Sequence, residues 1–110
     1  MKIIDVLGTE YKIFERSKAD DSELTSCDGY CDKTTHEIVI TIKEDDCNLG
    51  DFEVYRKKLL RHEIIHAFLF ESGLHENWEH KPSGHNETYL DWVAAQFPKL
   101  LSAFKAADAL

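Results

Sequence analysis

Apolar residues recur at helical spacing through residues 52–68, which read FEVYRKKLLRHEIIHAF. One face of the predicted helix carries Phe52, Tyr55, Leu59, Leu60, Ile64, Ala67 and Phe68. That spacing is close to the 3.6-residue period of an α-helix. Gly73, followed by apolar Leu74, is typical of a helix end with a left-handed cap. We therefore predict one helix of about 20 residues that ends at Gly73.

A second helical pattern begins near Glu87. Its expected buried stripe consists of Leu90, Val93, Ala94, Phe97, Leu101 and Phe104. Pro98 has no backbone N–H and clashes with the preceding turn, so we expect it to kink or break this helix near Phe97.

The N-terminal half has a β pattern instead. Residues 2–7 and 11–14 are short β-rich runs on either side of Gly8-Thr9-Glu10, which predicts a hairpin. The run 37–42, EIVITI, is β-branched almost throughout and predicts a third strand. The polar segment 17–35 is predicted to be a loop. The expected fold is a single α+β domain over residues 1–110, with about three strands followed by two helices.

Composition narrows the classes of function. Thirteen Lys and Arg against 21 Asp and Glu give a net charge of −8, which disfavours nucleic acid as a partner. No apolar stretch approaches the roughly 20 residues that span a bilayer. Residues 1–15 lack a signal-peptide pattern, so we expect a cytoplasmic protein, without membrane contact and monomeric.

The odd number of cysteines argues against a fully paired disulfide framework. Cys27, Cys31 and Cys47 are best interpreted as buried or idle thiols. Metal binding and a local disulfide between Cys27 and Cys31 are the alternatives.

The residues with the clearest chemistry are His62-Glu63-Ile64-Ile65-His66, inside the first predicted helix. Positions four apart on a helix differ by about 40° in azimuth and about 6 Å in rise, so both imidazoles can reach one ion. Glu63 lies about 100° around from His62, where it can accept a proton from water instead of ligating. The motif therefore predicts a zinc site with His62 and His66 as ligands and Glu63 as general base.

The alternative for this motif is two ordinary helix histidines with hydrogen-bond partners and a solvent-facing glutamate. The apolar flanks, such as Leu60, Ile64 and Phe68, count against it because they offer imidazoles no such partners.

A catalytic zinc usually has three protein ligands. Glu87 and Asp91 are four apart at the start of the second helix, so Glu87 can ligate while Asp91 supports an imidazole. Alone, these carboxylates also fit an acidic first turn favoured by the helix dipole. His75, nine residues after His66, is the other candidate for third ligand.

Together, the His62-Glu63-x-x-His66 motif and the Asn86-Glu87-x-x-x-Asp91 motif resemble the gluzincin clan of zinc peptidases. The resemblance covers about residues 37–97, and the short chain is similar to minimal, phage or mobile-element members such as the immunity-repressor-cleaving peptidases. It implies a zincin-like domain with one zinc per chain, bound by His62, His66 and Glu87. It also implies Asp91 as support for a histidine, Glu63 as base, and a protein or peptide substrate.

The resemblance further implies an oxyanion-stabilising residue, for which His80, His85 and Tyr89 are the candidates. It also assigns the upper rim of the cleft, where a substrate strand pairs, to Ile38, Val39, Ile40, Thr41 and Ile42. The metzincin pattern is excluded, because Leu69 and Ser72 stand where it needs Gly and His.

Two alternatives stay open at this level. The histidines His75, His80 and His85 allow a second metal site, although a polar loop anchored by Trp78 is favoured. A zinc-retaining module that binds a partner protein, with proteolysis weak or lost, is the alternative to a peptidase.

Overall fold

The computed structural model describes residues 1–77 and 87–110. In this part of the chain the strands are β1 (Lys2–Val6), β2 (Thr9–Arg16), β3 (Gly29–Asp32) and β4 (Glu37–Thr41). The helices are α1 (Phe52–Glu71) and α2 (Glu87–Ala106), and short 3-10 turns span Ser22–Thr25 and Leu74–Asn77. The predicted α+β class is confirmed, with four strands where about three were expected.

The sheet has the order β1-β2-β4-β3 and is mixed. β1 pairs antiparallel with β2, β2 parallel with β4, and β4 antiparallel with β3. The predicted hairpin between β1 and β2 is confirmed. Its turn is formed by Leu7 and Gly8, whose φ angles of 53° and 92° are both positive. Two positive φ angles match the right-handed twist of the strands that such a turn joins.

β3 was missed by the sequence analysis, which took residues 17–35 as a loop. Its ladder with β4 is extended by a hydrogen bond of 2.8 Å from the Thr41 N–H to the Asp28 carbonyl. β4 is therefore paired on both sides. The prediction that Ile38, Val39, Ile40, Thr41 and Ile42 form a free edge for a substrate strand is wrong. Within the described part of the sheet, the outer strand on this side is β3.

The core lies between one face of the sheet and the two helices. The sheet contributes Ile4, Val6, Tyr11, Ile13, Ile38 and Ile40; α1 contributes Leu60, Ile64, Ala67 and Phe68; α2 contributes Leu100, Ala103 and Phe104. α1 contacts β3, β4 and β1, whereas α2 contacts β1 and α1. The helix that carries the His-Glu-x-x-His motif is thus fixed directly on the sheet, beside its outer strand.

The other face of the sheet is covered by the segment between β2 and β3. Val39 points away from Ile38 and Ile40 because side chains alternate along a strand, yet it is fully buried. Asp21 accepts hydrogen bonds from Arg16 at 3.2 Å and from Tyr30 at 2.6 Å. These contacts tie the segment to β2 and β3. They also hold the pKa of Asp21 below its usual range, with the Tyr30 hydrogen bond as the largest cause.

The prediction for α1 is confirmed, whereas the prediction for α2 is wrong in part. α1 ends at Glu71, and Gly73 has the expected positive φ of 79°. α2 continues through Pro98 without a break. Phe104 is buried as predicted, but Phe97 is 52% exposed and Leu100 takes the inward position. No helix of the described residues is long and apolar enough to cross a membrane.

Candidate metal centre

The two faces of α1 explain why the motif residues differ in exposure. The buried stripe runs through Leu60, Ile64 and Ala67, and Glu63 lies in the same series of three- and four-residue steps. Glu63 is therefore turned toward the sheet and is only 5% exposed. His62 is rotated by about 100° and His66 by about 60° from it, both toward the same side of the helix. His62 is exposed and His66 is partly exposed, so both imidazoles are accessible from solvent.

His62, Glu63 and His66 form a group that could hold a metal ion. Each offers one ligand atom, and these atoms all lie within 4.8 Å of one another. The Nε2 atoms of His62 and His66 are 3.2 Å apart, and their rings meet edge to face with centroids 4.9 Å apart. The structure thus brings together the three residues that the sequence motif predicted.

The spacing of the two imidazole nitrogens is compatible with a bound metal ion. Two nitrogens bound to one tetrahedral zinc at about 2.0–2.1 Å lie about 3.3 Å apart, which is close to the 3.2 Å separation of the two Nε2 atoms. A hydrogen bond between the two imidazoles accounts for the same distance. Imidazole nitrogens suit several transition metals, so the geometry fits a metal ion without selecting which one.

Glu63 is buried without a hydrogen bond or ion pair to its carboxylate within residues 1–77 and 87–110. Burial raises its pKa, and the nearby His62 opposes that shift. A carboxylate in this position is costly unless water, a cation or another polar group completes its surroundings. Glu63 is therefore the motif residue whose placement is hardest to explain by folding alone.

Cys31 on β3 lies near Glu63 and is itself partly buried. Burial, followed by the charge of Glu63, raises the pKa of the Cys31 thiol to about 12. Cys31 is therefore a protonated, apolar neighbour of Glu63. Cys27, Cys31 and Cys47 are all free; Cys27 is exposed, and Cys31 and Cys47 are partly buried.

The C-terminal half of α1 is fixed by aromatic contacts and one hydrogen bond. His66 stacks on Phe70 with centroids 6.1 Å apart, and Phe70 meets His75 edge to face at 4.7 Å. The Tyr11 hydroxyl donates to Glu71 at 2.9 Å, which joins the helix end to β2. Burial lowers the pKa of His66, and His62 and His75 lower it further.

His75 lies beyond Phe70 and is not part of the metal-ligating group. The structure therefore does not bring together His62, His66 and His75, the alternative set of three ligands. Tyr89 is 40% exposed on α2 and stacks on Trp92, with ring centroids 6.5 Å apart.

The remaining predicted site residues fall where the structure gives no side-chain position. His80, His85 and Trp78 lie outside the described residues. Glu87 and Asp91 belong to the first turns of α2 by their backbone, but their side chains lie outside the described part.

A cleft of about 310 Å³ lies beside the motif, between α1 and the outer strand β3. His62 and Glu63 line it together with Asp28, Gly29, Tyr55, Lys58 and Leu59. A Cβ atom added at Gly29 would lie 3.2 Å from Leu59 Cδ1 and 3.2 Å from the Val39 carbonyl oxygen. The missing side chain lets β3 approach α1 this closely.

Asp28, Gly29 and Tyr55 were not identified as site residues from the sequence. Asp28-Gly29 indicates a turn, and Tyr55 belongs to the apolar face of the helix. Neither pattern shows that Tyr55 donates a hydrogen bond to Asp28 across the cleft. That contact joins positions 27 residues apart, so only the folded chain reveals it.

Comparison with protein families, with curated proteins and with solved structures finds no match for this chain.

Proposed function

We propose that this protein is a minimal zinc-dependent peptidase of the gluzincin kind, which hydrolyses peptide bonds in a protein or peptide substrate. The observation that carries the proposal is the convergence of His62, Glu63 and His66 within 4.8 Å, with Glu63 buried beside an open cleft. Histidines could converge to bind a metal without catalysis. A buried carboxylate at the intervening position is what hydrolysis requires in addition.

In this proposal His62 and His66 hold the zinc, and Glu87 supplies the third ligand from the start of α2. Asp91, one turn further along, accepts the outer N–H of an imidazole and fixes its orientation. When bound, zinc lowers the pKa of water toward about 7 and polarises the scissile carbonyl. Zinc is chosen over other metals because of the resemblance of the two motifs to gluzincins.

Glu63 takes the proton of the attacking water and passes it to the leaving amine. Glu63 lines the cleft, where water can reach its carboxylate, and the absence of a hydrogen-bonding partner among the described residues leaves both oxygens available for this transfer. The exposed His62 and the cleft beside it give an extended substrate access to the same point.

The position of β3 supports a peptide substrate. β3 is the outer strand of the described sheet and its first residue lines the cleft, and an extended peptide can pair with the edge of such a strand. The role that the sequence analysis gave to residues 38–42 thus passes to Gly29–Asp32.

Glu63→Gln tests the proposal, because glutamine keeps the shape of the side chain but removes the base. We expect cleavage to fall by at least about a hundredfold while bound zinc is unchanged. Glu53→Gln, an exposed position on the same helix, is the matched control and should cleave like the wild type.

The measurement is digestion of an unstructured protein library at matched zinc occupancy, with new termini read by mass spectrometry. Cleavage by the wild type that is lost in Glu63→Gln supports the enzyme. If neither form produces new termini while both capture the same partner with equal affinity, the chain is a protein-binding module and not a peptidase.

A further inference from the structure

A second pocket of about 330 Å³ adjoins the cleft at the metal centre. The two cavities share Asp28 and Tyr55, whose hydrogen bond forms the wall between them. The second pocket lies at the start of α1, whereas His62 is two helical turns further along. The seven residues from Tyr55 to His62 correspond to about 10 Å along the helix axis.

α1 and β3 run side by side in the same direction, and the second pocket lies at the start of both. Tyr55 contacts Asp28 just before β3, Leu59 lies against Gly29, and Lys33 Nζ lies 5.4 Å from the ring centroid of Phe70 beyond the end of β3. A peptide paired along β3 would therefore point one of its ends toward the second pocket. An extended chain rises about 3.3 Å per residue, so about three residues separate the pocket from the metal centre.

The walls of this pocket combine two kinds of surface. Its apolar part consists of Ile42, Leu49, Phe52 and the ring of Tyr55. Its charged groups are Asp28, Glu44, Asp46 and Lys18, which leaves an excess of negative charge. Ile42 and Leu49 are 40% and 45% exposed, so their apolar surface is available to a ligand.

The acidic groups are not equivalent. Asp28 accepts the hydrogen bond from Tyr55, and Glu44 accepts one from the Lys18 backbone N–H at 2.7 Å. These contacts fix both carboxylates in the wall without cancelling their charge. Asp46 is exposed and, within the described residues, makes no hydrogen bond or ion pair. It is therefore the carboxylate that an incoming cation can reach.

We propose that this pocket is a substrate subsite that takes an arginine or lysine side chain, about three residues from the scissile bond. Both side chains have an apolar stem, which suits Ile42, Leu49 and Phe52, and a cationic end, which suits the acidic groups. The inference rests on the proposed peptidase function, whose substrate class it specifies.

The charge-reversing variant Asp46→Lys tests the subsite, and Asp45→Lys is its matched control. Asp45 is the adjacent residue, is also exposed and does not line the pocket. Both variants change the net charge by the same amount, so a general electrostatic effect would appear in both. Only Asp46→Lys alters the pocket.

The probe is a set of otherwise-alanine nonapeptides with one arginine, glutamate or norleucine at each position in turn. Binding is measured by calorimetry on zinc-loaded, full-length Glu63→Gln protein, which retains the cleft but not the base. We expect arginine at one position to bind about five- to tenfold more tightly than glutamate there. Asp46→Lys should abolish that preference, and Asp45→Lys should keep it.

Equal binding of the arginine and norleucine peptides, or equal losses in Asp46→Lys and Asp45→Lys, would overturn the subsite. Calcium that binds at one ion per chain and is lost in Asp46→Lys would assign the pocket to a cation and overturn it as well. Cleavage without arginine preference contradicts this inference alone. Arginine-dependent binding with no cleavage by the wild type contradicts the peptidase function alone.

Discussion

At the scale of single residues, the motif on α1 was predictable because it depends on helix geometry alone. His62 and His66 are four apart on a helix whose apolar period is clear, so their convergence follows from the spacing. The burial of Glu63 was not predicted, although it follows from the same three- and four-residue steps as Leu60 and Ala67. The importance of Gly29 could not be predicted, because the space around it is set by Leu59 and Val39 from other elements.

Gly29 gives a prediction at this scale. In Gly29→Ala the new methyl group would meet Leu59 Cδ1 and the Val39 carbonyl at 3.2 Å, and the carbonyl belongs to a paired strand that cannot easily shift. We expect the free energy of unfolding to fall by about 1–3 kcal/mol, the usual cost of overpacking. Urea denaturation followed by circular dichroism measures this change.

Gly50→Ala is the control, because no atom lies within 4 Å of a Cβ placed there. It should change the stability by less than about 0.5 kcal/mol. Equal stability of Gly29→Ala and the wild type would show that β3 does not approach α1 as closely as described.

At the scale of elements, the long periodic segments were predicted well and the short or ambiguous ones were not. α1 was correct from its first residue to the cap at Gly73. β3 was missed because its four residues, Gly29–Asp32, begin inside the Asp28-Gly29 turn signal and are too few to show a strand pattern of their own. Pairing with β4 holds them in place. In α2, Leu100 and Leu101 are adjacent and equally apolar, so the pattern could not select the one that faces β1 and α1.

Pro98 gives the prediction at this scale, because α2 continues through it. The ring removes the N–H that would bond to the Ala94 carbonyl, and the exposed position offers little packing in return. Pro98→Ala should therefore raise the free energy of unfolding by about 1–3 kcal/mol. Thermal and urea unfolding can both measure the gain.

Lys99→Ala, at the exposed neighbouring position, is the matched control and should leave stability within about 0.5 kcal/mol of the wild type. A Pro98→Ala variant with unchanged or lower stability would contradict a helix that is continuous at this point.

At the scale of the whole molecule, strand order and the resulting cleft could not be predicted from the sequence. The β-branched run 37–42 suggested an edge by its resemblance to the gluzincin arrangement, but nothing in its residues states which strands flank it. The parallel pairing of β2 with β4 and the antiparallel pairing of β3 fill both of its sides. The cleft therefore lies one strand further out, between β3 and α1.

At this scale α2 matters because its first residue is Glu87, the proposed third ligand. α2 begins at Glu87, and its later turns pack on β1 and α1 through Leu100, Ala103 and Phe104. The proposed third ligand thus belongs to a helix anchored in the same core as the motif helix. A metal held by both helices would stabilise the folded protein as well as supply its chemistry.

The most direct test of the metal centre is the zinc content of the purified protein, measured by mass spectrometry of the metal against protein concentration. We predict about one zinc per chain, with a sharp loss in His62→Ala, His66→Ala and Glu87→Ala. His75→Ala, on the far side of Phe70, is the matched control and should retain the metal. A wild-type protein that binds no zinc after exposure to it, or that binds it equally well in His62→Ala and His66→Ala, would contradict the account.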